Sequence, residues 1–264
     1  MTEISGEEVK NIWNENAFFW DEKMGERGNE FHRFLIEPSQ ERLLSLKEGE
    51  YILDIACGNG QFTRKMAETG VRVFAFDTAE NFILRAKERS KDYKDKIEYR
   101  VIDASDGETL ERLGENIFDG AVCTMAIMDM SSLEPLVISL KKILKKNGRF
   151  VFSIMHPCFN SGRIRRIIEE EDKDGEVVIT CSVSNSHYIK PFSLKGIGMI
   201  GQPQVQYYFH RPLSELFNIF FKYGFFLNGL EEPVCPENKG KSNFWQIHAE
   251  IPPALIVRMI LMNK

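Results

Sequence analysis

The segment LDIACGNGQF, residues 53–62, constrains the fold more than any other part of the chain. A short apolar run, YILDIA from Tyr51, breaks into CGNG, and residues 61–69 then read as a helix. A strand that turns at once into a helix needs backbone conformations that a Cβ disfavours. Gly58 and Gly60 supply them and let main chain pass close to a ligand. VRVFAFD follows as a second buried strand, AENFILRAKERS as a helix, IEYRVIDA as a weaker third strand and FDGAVCTM as a fourth. LEPLVISLKKILKKNG reads as a helix that Asn147-Gly148 is expected to stop, and RFVFSIM as a fifth strand. Alternation of this kind from Tyr51 to Met155 implies an α/β fold, a parallel sheet with helices on both faces.

The flanks read differently. Residues 7–46 are expected to be helical, with Gly25 and Gly28 dividing them and Pro38 opening a new helix at its first turn. After Met155 the rhythm breaks. Residues 156–206 hold a charged stretch (EEEDKDGE), a strand pair around VVITCSV and a Gly-rich segment, KGIGMIGQP. The amphipathic helix LSELFNIFFKYG follows, stopped by Gly224, and residues 225–234 and 254–262 are the last two strands. The expected organisation is a helical cap over 1–46, a core over 47–155, an insertion over 156–206 and a return to the core sheet over 207–264. The insertion is expected to cover the carboxyl ends of the strands, where open α/β sheets bind ligands.

Composition excludes several roles. A formal charge of −5 with acids and bases intermixed gives no broad electropositive surface, so neither nucleic acid nor an anionic membrane is an expected partner. Cys57, Cys123, Cys158, Cys181 and Cys235 form no CxxC pair and no zinc-ligand spacing, which reads as reduced thiols in a cytoplasmic protein without a structural metal. The acidic start, MTEISGEEVK, is not a secretory signal, and the apolar stretches are short of the ~20 residues that span a bilayer.

Glycines at a strand-to-helix turn also occur in NAD and FAD sites, but here Thr63 stands where the third glycine of that fingerprint belongs. An acid, Asp54, precedes the first glycine by four positions instead. Asp77 closes the second strand, where a carboxylate can accept from both hydroxyls of a ribose; it can equally cap the helix that TAENF begins. Asp103, in VIDASD, closes the third strand. His156, in MHPCF, follows the fifth strand at the same end of the sheet. It is either a general base or the holder of a turn through a backbone hydrogen bond.

Taken together, D-I-A-C-G-N-G resembles the first motif of class I S-adenosylmethionine (SAM)-dependent methyltransferases, D/E-x-G-x-G-x-G, with Ala56 at the first glycine position. The resemblance is specific from about residue 50 to 159. It implies a Rossmann-like sheet of seven strands and SAM as cofactor. By the same resemblance Gly58 and Gly60 pass under the methionine part of SAM, with Cys57 between them and Ala56, and Asp54 helps fix the turn and the ligand's amino end. Asp77 takes the ribose, the adjacent Thr78 also belongs to the cofactor site, Phe82 lies near the adenine, and Asp103 and Ala104 contact the adenine. Thr124 and Met125 face the methyl donor, whereas Met128 and Met130 of the same stretch read as core. The N-terminal helices, with Trp20 and Phe31, resemble the cap that folds over SAM in small-molecule members.

Transfer of a sulfonium methyl is an in-line displacement, so alignment and exclusion of water carry most of the catalysis, and alignment alone can contribute roughly 7–11 kcal/mol. A base is needed only where the acceptor must lose a proton; His156 is the first candidate for it, and His210 beside Arg211 a weaker one. No N/D-P-P-Y/F tetrad follows the fourth strand, which argues against nucleic-acid bases and glutamine as acceptors. The expected function is methyl transfer from SAM to a small molecule. The competing readings are a SAM-binding protein without catalysis and an NAD-linked oxidoreductase.

Overall fold

The computed structural model describes residues 4–236 and 243–262. In chain order the elements begin with helix α1 (Gly6–Met24) and a π-helical turn (His32–Ile36) that runs into α2 (Glu37–Leu44). Strand β1 (Tyr51–Ile55), α3 (Gln61–Glu68), β2 (Arg72–Asp77), α4 (Glu80–Arg89) and β3 (Ile97–Val101) follow. Then come α5 (Gly107–Glu111), β4 (Phe118–Thr124), a 3-10 turn (Ile127–Asp129), α6 (Glu134–Ile143) and β5 (Leu144–Met155). The remainder is two hairpins, β6 (Ile164–Lys173) with β7 (Glu176–Asn185) and β8 (Phe192–Gly196) with β9 (Gln206–His210). Last are α7 (Leu213–Lys222), β10 (Phe225–Glu231), α8 (Asn243–Ile247) and β11 (Ala254–Leu261).

Seven strands make one sheet in the order β10-β11-β5-β4-β1-β2-β3. The pairs from β3 across to β5 are parallel, and β11 runs antiparallel to both β5 and β10. Strand order reverses between β1 and β4, so the crevice above their carboxyl ends is the place where such a sheet binds ligands. The sheet read from the sequence is therefore present, with its seven strands.

Both faces of the sheet are covered, which explains the nearly continuous apolar strands. Leu53, Ile55, Phe74, Phe76, Phe150 and Phe152 point to one face, where α6 and α7 add Leu140, Ile143, Leu216 and Phe220. The alternate residues Ile52, Val73, Ala75, Val122 and Val151 point to the other, against Leu35, Leu44, Phe62, Met66 and Ile83. Stacked Phe152 and Phe220, with ring centroids 5.4 Å apart, lock α7 to the centre of the first face.

Two expectations are refined. Helix α6 stops at Ile143, four residues before Asn147, because Leu144 already pairs with Phe118 in the sheet. The Asn-Gly turn signal belongs instead to an irregularity of β5 between Leu144 and Arg149, with Asn147 at φ 58°. The charged EEEDKDGE stretch forms the exposed tip of the β6–β7 hairpin. Among the described residues no helix is long and apolar enough to cross a membrane.

Candidate active site

The turn after β1 is held from the neighbouring strand. Cys57 N–H donates to the Phe76 carbonyl (2.9 Å), which keeps the turn level with the end of β2. There Asp77 accepts from Gly58 N through Oδ2 and from Ala79 N through Oδ1, both at 2.9 Å. Asp77 thus ties two loops together rather than capping α4, whose N-cap is Ala79. Asp54, 1% exposed, accepts from Thr63 Oγ1 at 2.5 Å on the first turn of α3. Burial pushes the Asp77 carboxyl up to about 6, against the pull of its backbone donors. It pushes Asp54 up to about 7, with Asp77 adding to the effect. Ala56 sits at φ 54°, the left-handed region the family motif fills with glycine, at a cost of roughly 1–2 kcal/mol.

These residues border a cavity of about 620 Å³, within the ~300–1,000 Å³ usual for small-molecule and cofactor sites. Asp54, Ala56, Cys57, Gly58, Asp77, Thr78, Phe82, Asp103, Ala104, Thr124 and Met125 all lie on its wall. Gly58 is at φ 55°, and a Cβ built on it would enter open space, 4.0 Å from Phe82, so a ligand can lie against bare backbone there. Gly60 is placed differently: it is not on the wall, and its missing Cβ makes room for the Tyr99 hydroxyl and Ala86 behind the turn. Met128 and Met130, read as core, both reach the cavity wall, although Met128 is also packed in the core.

A buried polar chain steadies the far wall. Gln40 donates to Thr124 Oγ1 (2.9 Å) and accepts from Ser153 Oγ (2.6 Å), and Ser153 Oγ in turn accepts from Met125 N (3.0 Å). Met125 is held at φ 53°, a strained conformation for a side chain of its size.

The roof comes from α1 and the segment before β9. Trp13 bridges Trp20 (centroids 5.6 Å) and Phe82 (6.2 Å), so the cap's aromatic face continues the wall. Buried Asp21 is the anchor: it accepts from Asn59 Nδ2 (3.0 Å) in the glycine turn and pairs with Arg85 (2.6 Å) and Arg89 (2.5 Å) on α4. Asn16 exchanges two hydrogen bonds with the backbone of Gln204, at 2.9 and 2.8 Å, joining cap to insertion. His32 also reaches the wall, beside Asn29 Oδ1 at 2.9 Å, and burial pushes its imidazole down to about 4, so it is neutral near pH 7.

His156 is not brought into the cavity. It is 2% exposed and absent from the wall, its Nδ1 accepts from Cys158 N (3.1 Å), and its Nε2 meets Glu232 at 2.7 Å. Both ring nitrogens are committed to holding the turn after β5, and burial lowers its pKa. Of the two roles open from the sequence, the turn-holding one is what the geometry serves. His210 meets the Tyr188 carbonyl (2.7 Å) and stacks on Phe192, and Arg211 donates to the Met130 and Ser131 carbonyls. Neither lies on the cavity wall.

Among the wall residues not singled out from the sequence are Asp129, Gln206 and Tyr208. Asp129, on the turn after β4, is 7% exposed, and its Oδ1 has no hydrogen-bond partner among the described residues. Gln206 and Tyr208, on β9, lie beside it. The available signal was a lone acid inside the apolar stretch AIMDM.

Residues 53–152 match the family model described as a methyltransferase domain. That stretch of the chain is therefore similar to a methyltransferase domain. The match begins at Leu53 in β1 and ends at Phe152 in β5, so it takes in the glycine turn and both strand-end acids. The chain is 26% identical over 154 residues to a ubiquinone biosynthesis O-methyltransferase of Hydrogenovibrio crunogenus, covering 57% of this chain and 61% of that relative's length. A SAM-dependent methyltransferase of Mesorhizobium loti shares the fold, with TM-score 0.63 and 24% identity over 84% of this chain and 96% of that one. So does the Burkholderia thailandensis 1,6-didemethyltoxoflavin-N1-methyltransferase, solved with its acceptor and S-adenosylhomocysteine (SAH), at TM-score 0.59, 14% identity and coverage of 100% and 93%. At these identities the two structures speak for the fold.

Proposed function

We propose that this chain transfers a methyl group from SAM to a small-molecule acceptor within the cavity over β1 and β4. The observation that carries this reading is the convergence of Gly58, Asp77, Asp103 and Thr124 on one wall at the point where strand order reverses, inside a methyltransferase domain. SAM supplies an electrophilic methyl on a sulfonium. The open backbone at Gly58 fits its methionine part, and Asp77 fits the ribose diol because its two carboxyl oxygens, at the cavity wall, offer about four lone-pair sites, more than the backbone donors from Gly58, Thr78 and Ala79 fill. Asp103 and Ala104 are assigned to the adenine, and Thr124 and Met125 to the methyl end. The chain's own residues contribute alignment and the removal of water by the α1 roof, which Asp21 clamps to the glycine turn. A cytoplasmic setting belongs to the same reading, supported by five cysteines that are all unpaired thiols.

The assignment of Asp77 has a pH consequence. Ribose hydroxyls bind best to the ionised carboxylate, and below about 6 the carboxyl must first lose a proton, which costs about 1.4 kcal/mol per pH unit. SAH affinity is expected to level off above pH 7 and to fall up to about tenfold per unit below pH 6. Titrations between pH 5 and 8 read this directly, and a flat profile removes Asp77 from the ribose site.

Activity is tested by incubating the full chain with SAM labelled on its methyl group and a panel of small aromatic and heterocyclic acceptors. Label is expected to pass to an acceptor as SAH accumulates. If all label stays on SAM while SAH binds, the chain is a SAM-binding protein without transfer.

A further inference from the structure

Asp129 is a buried acid on the cavity wall that lacks a full set of partners among the described residues. Its Oδ1 is buried and unpartnered, and burial pushes its carboxyl well above the usual range. Among the described residues, Gln206 is the neighbour whose side chain hydrogen-bonds to it. That amide's Oε1 is occupied by Gln202 Nε2 at 3.1 Å, so its N–H edge is the part left for Asp129 and Tyr208. Among the described residues no ion pair to Asp129 forms, and Arg211 Nη2 donates instead to the Met130 and Ser131 carbonyls at 2.7 and 2.9 Å. A buried acceptor left unpaired costs about 1–3 kcal/mol, a cost that a ligand supplying the missing donor removes.

The surroundings state what else that ligand must be. Gly198 lets the Trp20 ring and the Tyr208 hydroxyl close on one another: a Cβ there would stand 2.7 Å from Trp20 Cζ2 and 3.1 Å from Tyr208 Oη. Trp20 Nε1 is buried without a partner on the same wall, and Met128, Met199 and Ile197 complete it. This slot is aromatic and thioether-lined, and among the described residues it holds a buried acceptor, Asp129 Oδ1, and a buried donor, Trp20 Nε1, without partners.

We propose that this slot is the acceptor subsite and that it selects an uncharged planar ring bearing an O–H or N–H, received by Asp129 Oδ1. The proposal rests on the methyltransferase reading above and narrows its substrate class. An anionic ring would be desolvated there with no ion pair at Asp129 to offset the cost, and rings whose heteroatom is already alkylated leave Asp129 Oδ1 unpaired.

The test uses the full chain saturated with SAH and three probes on one ring: 2-naphthol, 2-methoxynaphthalene and 2-naphthoate. In calorimetric titration 2-naphthol is expected to bind at least tenfold more tightly than either of the others. Asp129→Asn, which keeps the side chain's size but turns an N–H towards the slot, is expected to cut that preference below threefold while leaving SAH affinity within twofold. Equal binding of naphthol and its methyl ether by the wild-type chain overturns the proposal without recourse to any variant. So does a preference that survives Asp129→Asn, and so does failure of all three probes to bind at millimolar concentration. If SAH itself does not bind, the methyltransferase reading fails and takes this inference with it.

Discussion

Replacing Asp77 by alanine is expected to weaken SAH binding by at least about 100-fold while the protein remains folded. Two hydrogen bonds from ligand hydroxyls to a carboxylate are worth about 1.5–3 kcal/mol each, and about 2.7 kcal/mol already corresponds to two orders of magnitude. The substitution also removes the acceptor for Gly58 N and Ala79 N, which loosens the turn that cradles the ligand. Stability changes less, because the lost bonds are offset by removing a carboxyl that burial disfavours. Calorimetric titration alongside a thermal melt separates the two effects. Unchanged affinity would place the ribose elsewhere.

Gly60→Ala is expected to be among the most destabilising single substitutions near the site, by about 2–5 kcal/mol. The residue sits at φ 73°, where an L-residue costs ~1–2 kcal/mol, and overpacking adds ~1–3 kcal/mol. The new methyl group would stand 2.3 Å from the Tyr99 hydroxyl and 3.2 Å from Ala86 Cβ. Tyr99 cannot simply swing away, because its ring is buried and its hydroxyl is 2.9 Å from Ser90 Oγ. The loss should be partly recovered in a Tyr99→Phe background, which removes the nearest atom, and a double-mutant cycle in denaturant measures that coupling. Additive effects would show that the clash is relieved elsewhere.

These two glycines show where reading the sequence succeeds and where it stops. Both were legible as turn-forming, because a strand running into CGNG leaves few other solutions. Their division of labour was not. Gly58 opens to the cavity and Gly60 accommodates Tyr99, and that distinction depends on β3 arriving behind the turn. The acids at strand ends, Asp77 and Asp103, were readable because strand alternation places every such residue at one edge of the sheet. Asp129, Gln206 and Tyr208 were not, since they meet only when the hairpin β8–β9 folds back over the turn after β4. His156 has the chain position and chemistry of a base, whereas the fold sets Cys158 N and Glu232 against its two ring nitrogens, partners that the sequence does not reveal. The Asn147-Gly148 signal was real as a turn and misplaced as a helix stop, because pairing of Leu144 with Phe118 had already ended α6.

Whether the cavity is a SAM site is decided by calorimetric titration of the purified full chain with SAM and with SAH at pH 8. Saturable binding of both in the micromolar range, with NADH showing none, is the expected result. Failure of both SAM and SAH to bind, or tight binding of NADH in their place, would contradict that assignment.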